Sequence, residues 1–238
     1  MIEEFQLGKR LGTIAKLIIR NQQYDHIWDC CCDHGYLGMF LLNHFSTQKG
    51  DKAQINFVDQ VAHITEQLRT KLAQNTPTHY EVHTLNAECL ELSTKQRHCV
   101  IIAGVTTTGT LKILQTLLNK HPNQCIDFIL CPTRGQYELR KFLIKEKACL
   151  IEENHIIENN RHYELLYIRM HENQQQNRYQ LVSSIGAFWQ KDNEEHIRYL
   201  ISKLSHYRKE MLGVNKLDAI EAVQLYSDMQ QKISSAKL

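Results

Sequence analysis

The chain has 238 residues, 42% of them hydrophobic and 23% charged, a composition that suits a globular protein with enough chain to bury a core and add a small appendage. Its 28 basic residues barely exceed its 26 acidic ones, so no global field demands a nucleic-acid partner, and only local basic patches stay open. No apolar run is long enough to span a bilayer, and Lys9, Arg10 and Lys16 interrupt the N-terminus where a signal peptide would be apolar, which points to the cytoplasm.

Along the chain, a basic amphipathic helix is expected near residues 6 to 20. HIWDCCC (26–32) reads as a buried strand and YLGMFLLNHF (36–45) as a helix. The rhythm repeats with a strand at 54–59, a helix at 62–75 carrying Ile64, Leu68 and Leu72, and a strand at 80–87. HCVIIAG (98–104) is the most continuous apolar strand, followed by a helix at 109–120, a strand at 127–132 and a helix at 136–147. Five such strand-helix units imply a mostly parallel sheet covered on both faces. CLIEENHII and RHYELLYIRM then flank Glu158-Asn159-Asn160, which reads as a tight hairpin because asparagine tolerates positive φ. A polar stretch at 171–180 reads as a loop or linker. Beyond it, Ile197, Leu200, Ile201, Leu204 and Met211 mark one helical face, Gly213 a stop, and Leu217, Ile220, Val223 and Ile233 a second helix. The expected domains are 1–170, the sheet, and 171–238, a linker with a C-terminal helical hairpin.

In a reducing cytoplasm the eight cysteines are not expected to pair. No C-x-x-C occurs, and adjacent Cys30, Cys31 and Cys32 would alternate between strand faces instead of converging on an ion, so no metal site is expected. Cys89, Cys99, Cys125, Cys131 and Cys149 stand singly in apolar segments, as buried thiols acting as small hydrophobes would.

A parallel α/β sheet ending in an antiparallel hairpin resembles the Rossmann-like sheet of the class I S-adenosylmethionine-dependent methyltransferases, here with a C-terminal two-helix appendage. In such sheets the ligand lies beyond the carboxyl ends of the strands, at the switch point. The first loop of that fold runs acid-x-Gly-x-Gly-x-Gly. Here it is Asp29-Cys30-Cys31-Cys32-Asp33-His34-Gly35, with the acid and last glycine kept and Cys31 and Asp33 in place of the other two. The triple cysteine is thus read as a modified cofactor loop. The resemblance implies that Asp59, with Gln60 beside it, accepts hydrogen bonds from ribose hydroxyls. It further implies that Ala87 and Glu88 border the adenine, and that Ala103 and Gly104 open the reaction pocket. A nicotinamide-dependent dehydrogenase would need G-x-G-x-x-G after the first strand, and none is present.

The whole chain is similar to the bacterial tRNA adenine-22 N1-methyltransferase family. The shared features are an L-x-K-R-L helix (Leu7, Lys9, Arg10, Leu11), then Asp29, Asp33, His34, Tyr36 and Leu37 of a D-x-G-x-D-H-x-Y-L motif. Ile102 to Gly104, Pro132 with ELRKFL, and RHYELL follow in order. That resemblance implies S-adenosyl-L-methionine as cofactor, tRNA as partner and methyl transfer to N1 of an adenine. N1 of neutral adenine already carries a lone pair, so the enzyme chiefly aligns the reactants and stabilises the cationic product. Asp33 is the candidate for the stabilising carboxylate, or else a cap on the following helix. His34 either orients that acid or contacts the cofactor, or packs in the loop; Tyr36 stacks on a base or packs.

Two departures from the family pattern stand out: Cys31 for glycine, and Thr106-Thr107 where Gly-Gly is usual. Cysteine fits ordinary β conformations, whereas a β-branched residue at positive φ is strained, so the threonines are the expected source of strain and of a narrowed acceptor pocket. Three readings follow: an active tRNA methyltransferase, a weakened cofactor-binding protein, and a small-molecule methyltransferase. Lys9, Arg10 and Arg134 are candidates for RNA contact, with Lys16 and Arg20 near the same helix face. Arg198, Lys203, Arg208 and Lys209 form a C-terminal stripe that is either RNA-binding, partner-docking or simply solvated.

Overall fold

The computed structural model describes residues 6–21, 23–46, 53–74, 78–171, 180–213 and 216–234. Among them, helix α1 (Lys9–Arg20) precedes β1 (His26–Cys30), α2 (Tyr36–Ser46), β2 (Gln54–Asp59), α3 (Ala62–Ala73) and β3 (Tyr80–Thr84). Then come β4 (His98–Ala103), α4 (Thr107–Lys120), β5 (Ile126–Cys131), α5 (Gln136–Lys145), β6 (Cys149–Glu158) and β7 (Arg161–Met170). The short β8 (Gln180–Leu181) and helices α6 (Glu194–Glu210) and α7 (Lys216–Ile233) complete the order. The strands form one sheet, β3-β2-β1-β4-β5-β7-β6-β8, parallel from β3 to β5 and antiparallel beyond.

The near-continuous apolar runs of β2, β4 and β5 are explained by burial on both faces. Alternate residues point to opposite layers. Ile27, Phe57 and Ile101 pack under α1, α2 and α3, whereas Trp28, Val100 and Ile102 pack under α4 and α5. Several boundaries differ from expectation, three of them for a visible local reason. β1 stops at Cys30 because Cys31 turns to φ 56°. α4 starts two residues earlier than expected because Thr106 caps it. The third unit has no α-helix; β3 ends at Thr84 and only a one-turn 3-10 helix, Ala87–Cys89, precedes β4. The hairpin turn does form at Asn159 and Asn160, with φ of 50° and 58°, and pairs Glu158 with Arg161.

Two motifs from the sequence meet in the core. Arg140 of ELRKFL is fully buried and donates from Nε to Glu164 Oε2 of RHYELL at 2.7 Å. It also donates from Nη2 to Glu153 Oε2 at 2.7 Å and from Nη1 to the Ser183 carbonyl at 3.0 Å. Tyr199 on α6 donates to the other oxygen of Glu164 at 2.8 Å, so the same carboxylate ties the C-terminal helices to the sheet. The flanking apolar contact joins Tyr137 of α5 to Leu200, Leu204 and Tyr207 of α6 and Ala222 and Tyr226 of α7.

That seam corrects the C-terminal expectation. Ile201, Leu217 and Ile220 are exposed, not buried. Each residue of a helix turns about 100° from the last, and with Leu200 facing α5, its neighbour Ile201 cannot. Tyr207 and Tyr226 stack at 5.8 Å within the seam. α6 does end at Glu210, just before Gly213. Two cysteines are also corrected: Cys89 and Cys125 are exposed, while Cys99 and Cys131 are buried as expected. The expected linker falls mainly on residues 172–179, outside the described residues. No helix among the described residues is long and apolar enough to cross a membrane.

Candidate cofactor and acceptor site

The exits of β3, β2, β1 and β4 stand side by side in the sheet, so residues far apart in sequence share one edge. A cavity of about 240 Å³ opens there. Asp29, Cys31, Cys32, Asp33, His34, Ala103 and Gly104, all singled out in the sequence, line it together with Arg10.

The β1–α2 loop owes its shape to two strained residues. Cys31 and Asp33 adopt φ of 56° and 49°, where a non-glycine residue costs about 1–2 kcal/mol each. The expectation about strain is therefore reversed. Thr106 has φ −68°, caps α4 and accepts from the Gly109 N–H at 3.3 Å. Thr107 Oγ1 lies 2.5 and 2.8 Å from the carbonyl oxygens of Arg134 and Gly135, pinning the β5–α5 loop. Neither threonine lines the cavity. The left-handed conformation near them falls on Gly104, φ 83°, whose missing Cβ would lie 3.2 Å from Arg10 Nη1.

Asp29 does the capping considered for Asp33. Its Oδ2 accepts from the Gly38 N–H in the first turn of α2 at 3.1 Å. Burial pushes its carboxyl up to about 7, against the lowering effect of that bond and with a further upward push from the Asp59 charge. Asp33 instead turns its carboxylate outward, 3.8 Å from His34 Nε2, with the Tyr36 ring 5.5 Å from that of His34. Asp59 closes β2, accepting from Val61 N–H at 2.9 Å and Asp33 N–H at 3.3 Å, so it braces the strained loop from the neighbouring strand. Gln60 is exposed beside it. Cys30 and Ala87 are buried in the core, and Gly35 turns the loop into α2 at φ 69°. Glu88 receives hydrogen bonds from Asn86 and Lys112 at 3.0 Å each, chiefly the latter holding its carboxyl below the usual range. Asp59, Gln60, Ala87 and Glu88 flank the cavity along the strand exits without lining it.

The cysteines are poor ligands and nucleophiles here. Burial, then the charges of Asp59 and Asp29, pushes the Cys31 thiol up to about 11, and Cys30 and Cys32 are raised mainly by burial.

Arg10, a candidate for RNA contact in the sequence, faces the cavity and not the outer side of its helix. Its guanidinium lies over the Tyr163 ring at 5.0 Å and its Nε is buried without a hydrogen-bond partner. A signal existed: Arg10, Ile14 and Leu17 are spaced i, i+4, i+7, the buried face of α1, while Lys9 and Lys16 lie on the outer one. The helix start is held by Glu158, whose Oε1 accepts from the Arg10 N–H at 3.1 Å and would lie 2.4 Å from a Cβ on Gly8. Arg134 is exposed after β5. The C-terminal stripe is partly neutralised: Arg198 pairs with Glu194 and Glu195 at 3.0 and 2.9 Å, and Lys203 turns inward to Gln136.

A parallel sheet with its acids and strained loop aligned at the strand exits, closed by an antiparallel hairpin, defines a methyltransferase-type α/β fold. Residues 7–166 match the family model described as a methyltransferase domain, and the chain belongs to that family. It is 27% identical over 137 residues to a Mycoplasma pneumoniae protein provisionally named a tRNA methyltransferase; the match covers 58% of this chain and 59% of that one. Its fold is that of M. capricolum TrmK solved with S-adenosyl-homocysteine, with TM-score 0.70, 19% identity and coverage of 96% and 98% of the two chains. The B. subtilis M1A22 tRNA methyltransferase TrmK gives TM-score 0.68 at 18% identity, covering 97% and 98%.

Proposed function

We propose that the protein is an S-adenosyl-L-methionine-dependent tRNA methyltransferase acting on N1 of an adenine in the cytoplasm. The observation that carries this reading is the cavity that joins the β1–α2 loop, Gly104 and Arg10 at the strand exits. The similarity to proteins named as tRNA methyltransferases supports the substrate class. The residues fit the cofactor. The buried Nε of Arg10 lacks a partner and suits a carboxylate, and Asp29 suits an ammonium group, so the two together match an amino-acid end. Asp59 has acceptor capacity left for ribose hydroxyls after its two backbone bonds. The cofactor supplies an electrophilic methyl group.

The chain's own residues then position the acceptor. Asp33 holds an outward carboxylate at the cavity mouth, where it stabilises positive charge developing on the adenine ring. N1 already carries its lone pair, so no metal is needed to create a nucleophile. The weakened-enzyme alternative loses its strain argument, because Thr106 and Thr107 fix loops with unstrained backbones. We keep the division at 170/171, with 1–170 holding cofactor and 171–238 adding RNA-facing surface.

The test uses purified protein, labelled cofactor and unmodified tRNA, with nucleoside mass spectrometry to locate the methyl group. Methylation at adenine N1 is expected, and Asp33→Asn should lower kcat about 10-fold or more while leaving cofactor affinity unchanged. Full activity in Asp33→Asn removes that residue from the mechanism. Methylation of another base overturns the substrate assignment.

A further inference from the structure

A second and larger cavity, about 1010 Å³, runs along the other side of α1. Helix α1 is the wall between the two spaces: Arg10 and Leu11 face the cofactor cavity, whereas Lys9, Thr13 and Lys16 face the groove. Across from them stand His155 of β6 and the start of α6 at Asn193 and His196. We infer that this groove receives the phosphate backbone of the RNA substrate flanking the target adenine; the inference rests on the tRNA reading above.

The charge pattern selects an anionic occupant. Lys9 and Lys16 are exposed and make no ion pair among the described residues, unlike Arg20, which pairs with Glu152, and Arg198, which pairs with Glu194 and Glu195. The acids at the groove are already engaged: Glu195 by Arg198 at 2.9 Å, and Glu158 by the Arg10 N–H. The 17-residue α6 also starts here, capped by Asn193, which accepts from the N–H groups of Glu195 and His196, with Glu194 and Glu195 in its first turn.

Size and spacing favour a polymer. Lys9 and Lys16 are two turns apart, about 10.5 Å along the helix, which suits two separate phosphates of one backbone better than one small anion. The groove is at the upper limit of about 300–1,000 Å³ for small-molecule pockets. The His155 ring, stacked with His162 at 5.1 Å, Phe188 at 5.0 Å and Tyr199 at 4.8 Å, gives the groove a rigid wall opposite the lysines. Gly8 lines the groove and Arg10, two residues on, lines the cofactor cavity, so the two spaces approach each other at the N-terminal end of α1.

The test compares wild type, Lys9→Ala/Lys16→Ala and Thr13→Trp, the last filling the groove without changing charge. The tRNA Kd is measured at several salt concentrations, with cofactor binding by calorimetry alongside. The double variant should bind tRNA at least 10-fold more weakly, with the slope of log affinity against log salt smaller in magnitude by about 1.5. Thr13→Trp should raise KM for tRNA with an unchanged salt slope, and both variants should keep wild-type cofactor affinity. Unchanged tRNA affinity and slope in both variants overturn the groove assignment. Wild type that binds cofactor but neither binds nor methylates tRNA overturns the functional reading instead.

Discussion

Arg140→Met tests how the C-terminal helices are held to the sheet. Methionine keeps most of the aliphatic length and removes the guanidinium, leaving Glu164, wholly buried, and Glu153, nearly so, without their cation. Removing one partner of a buried ion pair costs about 3–5 kcal/mol, a large share of the roughly 5–15 kcal/mol that holds a typical domain folded. Some compensation remains, because Glu164 keeps the Tyr199 hydroxyl and Glu153 keeps the Ala187 N–H. The expected loss at pH 7 is therefore about 3 kcal/mol, read by urea unfolding followed by circular dichroism. The Arg140 charge, working against burial, holds the Glu164 carboxyl below the usual carboxylate range. This stabilisation is present above about pH 4.5 and is lost as pH falls through the lowered value, so the gap between variant and wild type should close on acidification. Arg140→Met combined with Glu153→Gln and Glu164→Gln should recover most of the loss, since it leaves neither carboxylate buried without a cation. A loss below about 1 kcal/mol for the single variant, or a triple variant weaker than the single one, would refute the reasoning.

Three further outcomes are expected. Asp59→Ala should weaken S-adenosylmethionine binding by about 1.5–3 kcal/mol in calorimetry, the range for hydrogen bonds to a charged group, and an unchanged affinity would remove Asp59 from the cofactor site. Cys31→Gly should stabilise the protein by up to about 1 kcal/mol by relieving φ 56°, whereas Thr107→Gly should cost about 1–2 kcal/mol through a lost buried hydroxyl bond; denaturant midpoints in the opposite order would contradict the strain assignment. Burial, then the nearby His162 and His196 charges, holds His155 down at about 4, so the unfolded chain takes up a proton between pH 6.5 and 4 that the folded one does not. Stability should fall over that window as pH drops, and His155→Phe should reduce the fall by about 1–2 kcal/mol after allowance for partial solvent exposure; identical pH profiles in unfolding melts would exclude His155 as a source.

The alternation of apolar runs with amphipathic stretches was enough to establish the parallel sheet, because period 2 and period 3.6 are local properties of the chain. The hairpin at Asn159-Asn160 was legible for the same reason: its positive φ is a property of two adjacent residues. So was the place of the β1–α2 loop, since a strand running straight into an acid-rich turn needs no distant partner to be recognised. The strain within that loop was not legible. Whether Cys31 or Thr106 sits at positive φ depends on Asp59, 28 residues away, bracing Asp33, and on Thr107 reaching the β5–α5 loop. Charge roles depended on tertiary placement even more. Lys9 and Arg10 are neighbours in sequence, yet the 100° helical step sends one to the open groove and the other to the cavity at the strand exits. Likewise Arg140 and Glu164 are two ordinary charges until the sheet brings them to 2.7 Å in a site that excludes water. Local pattern decides which elements form and which way they face. Which ions pair, which stay open to a ligand and which backbone bears the strain are set by contacts between residues far apart in the chain, and these exist only once the layers have packed.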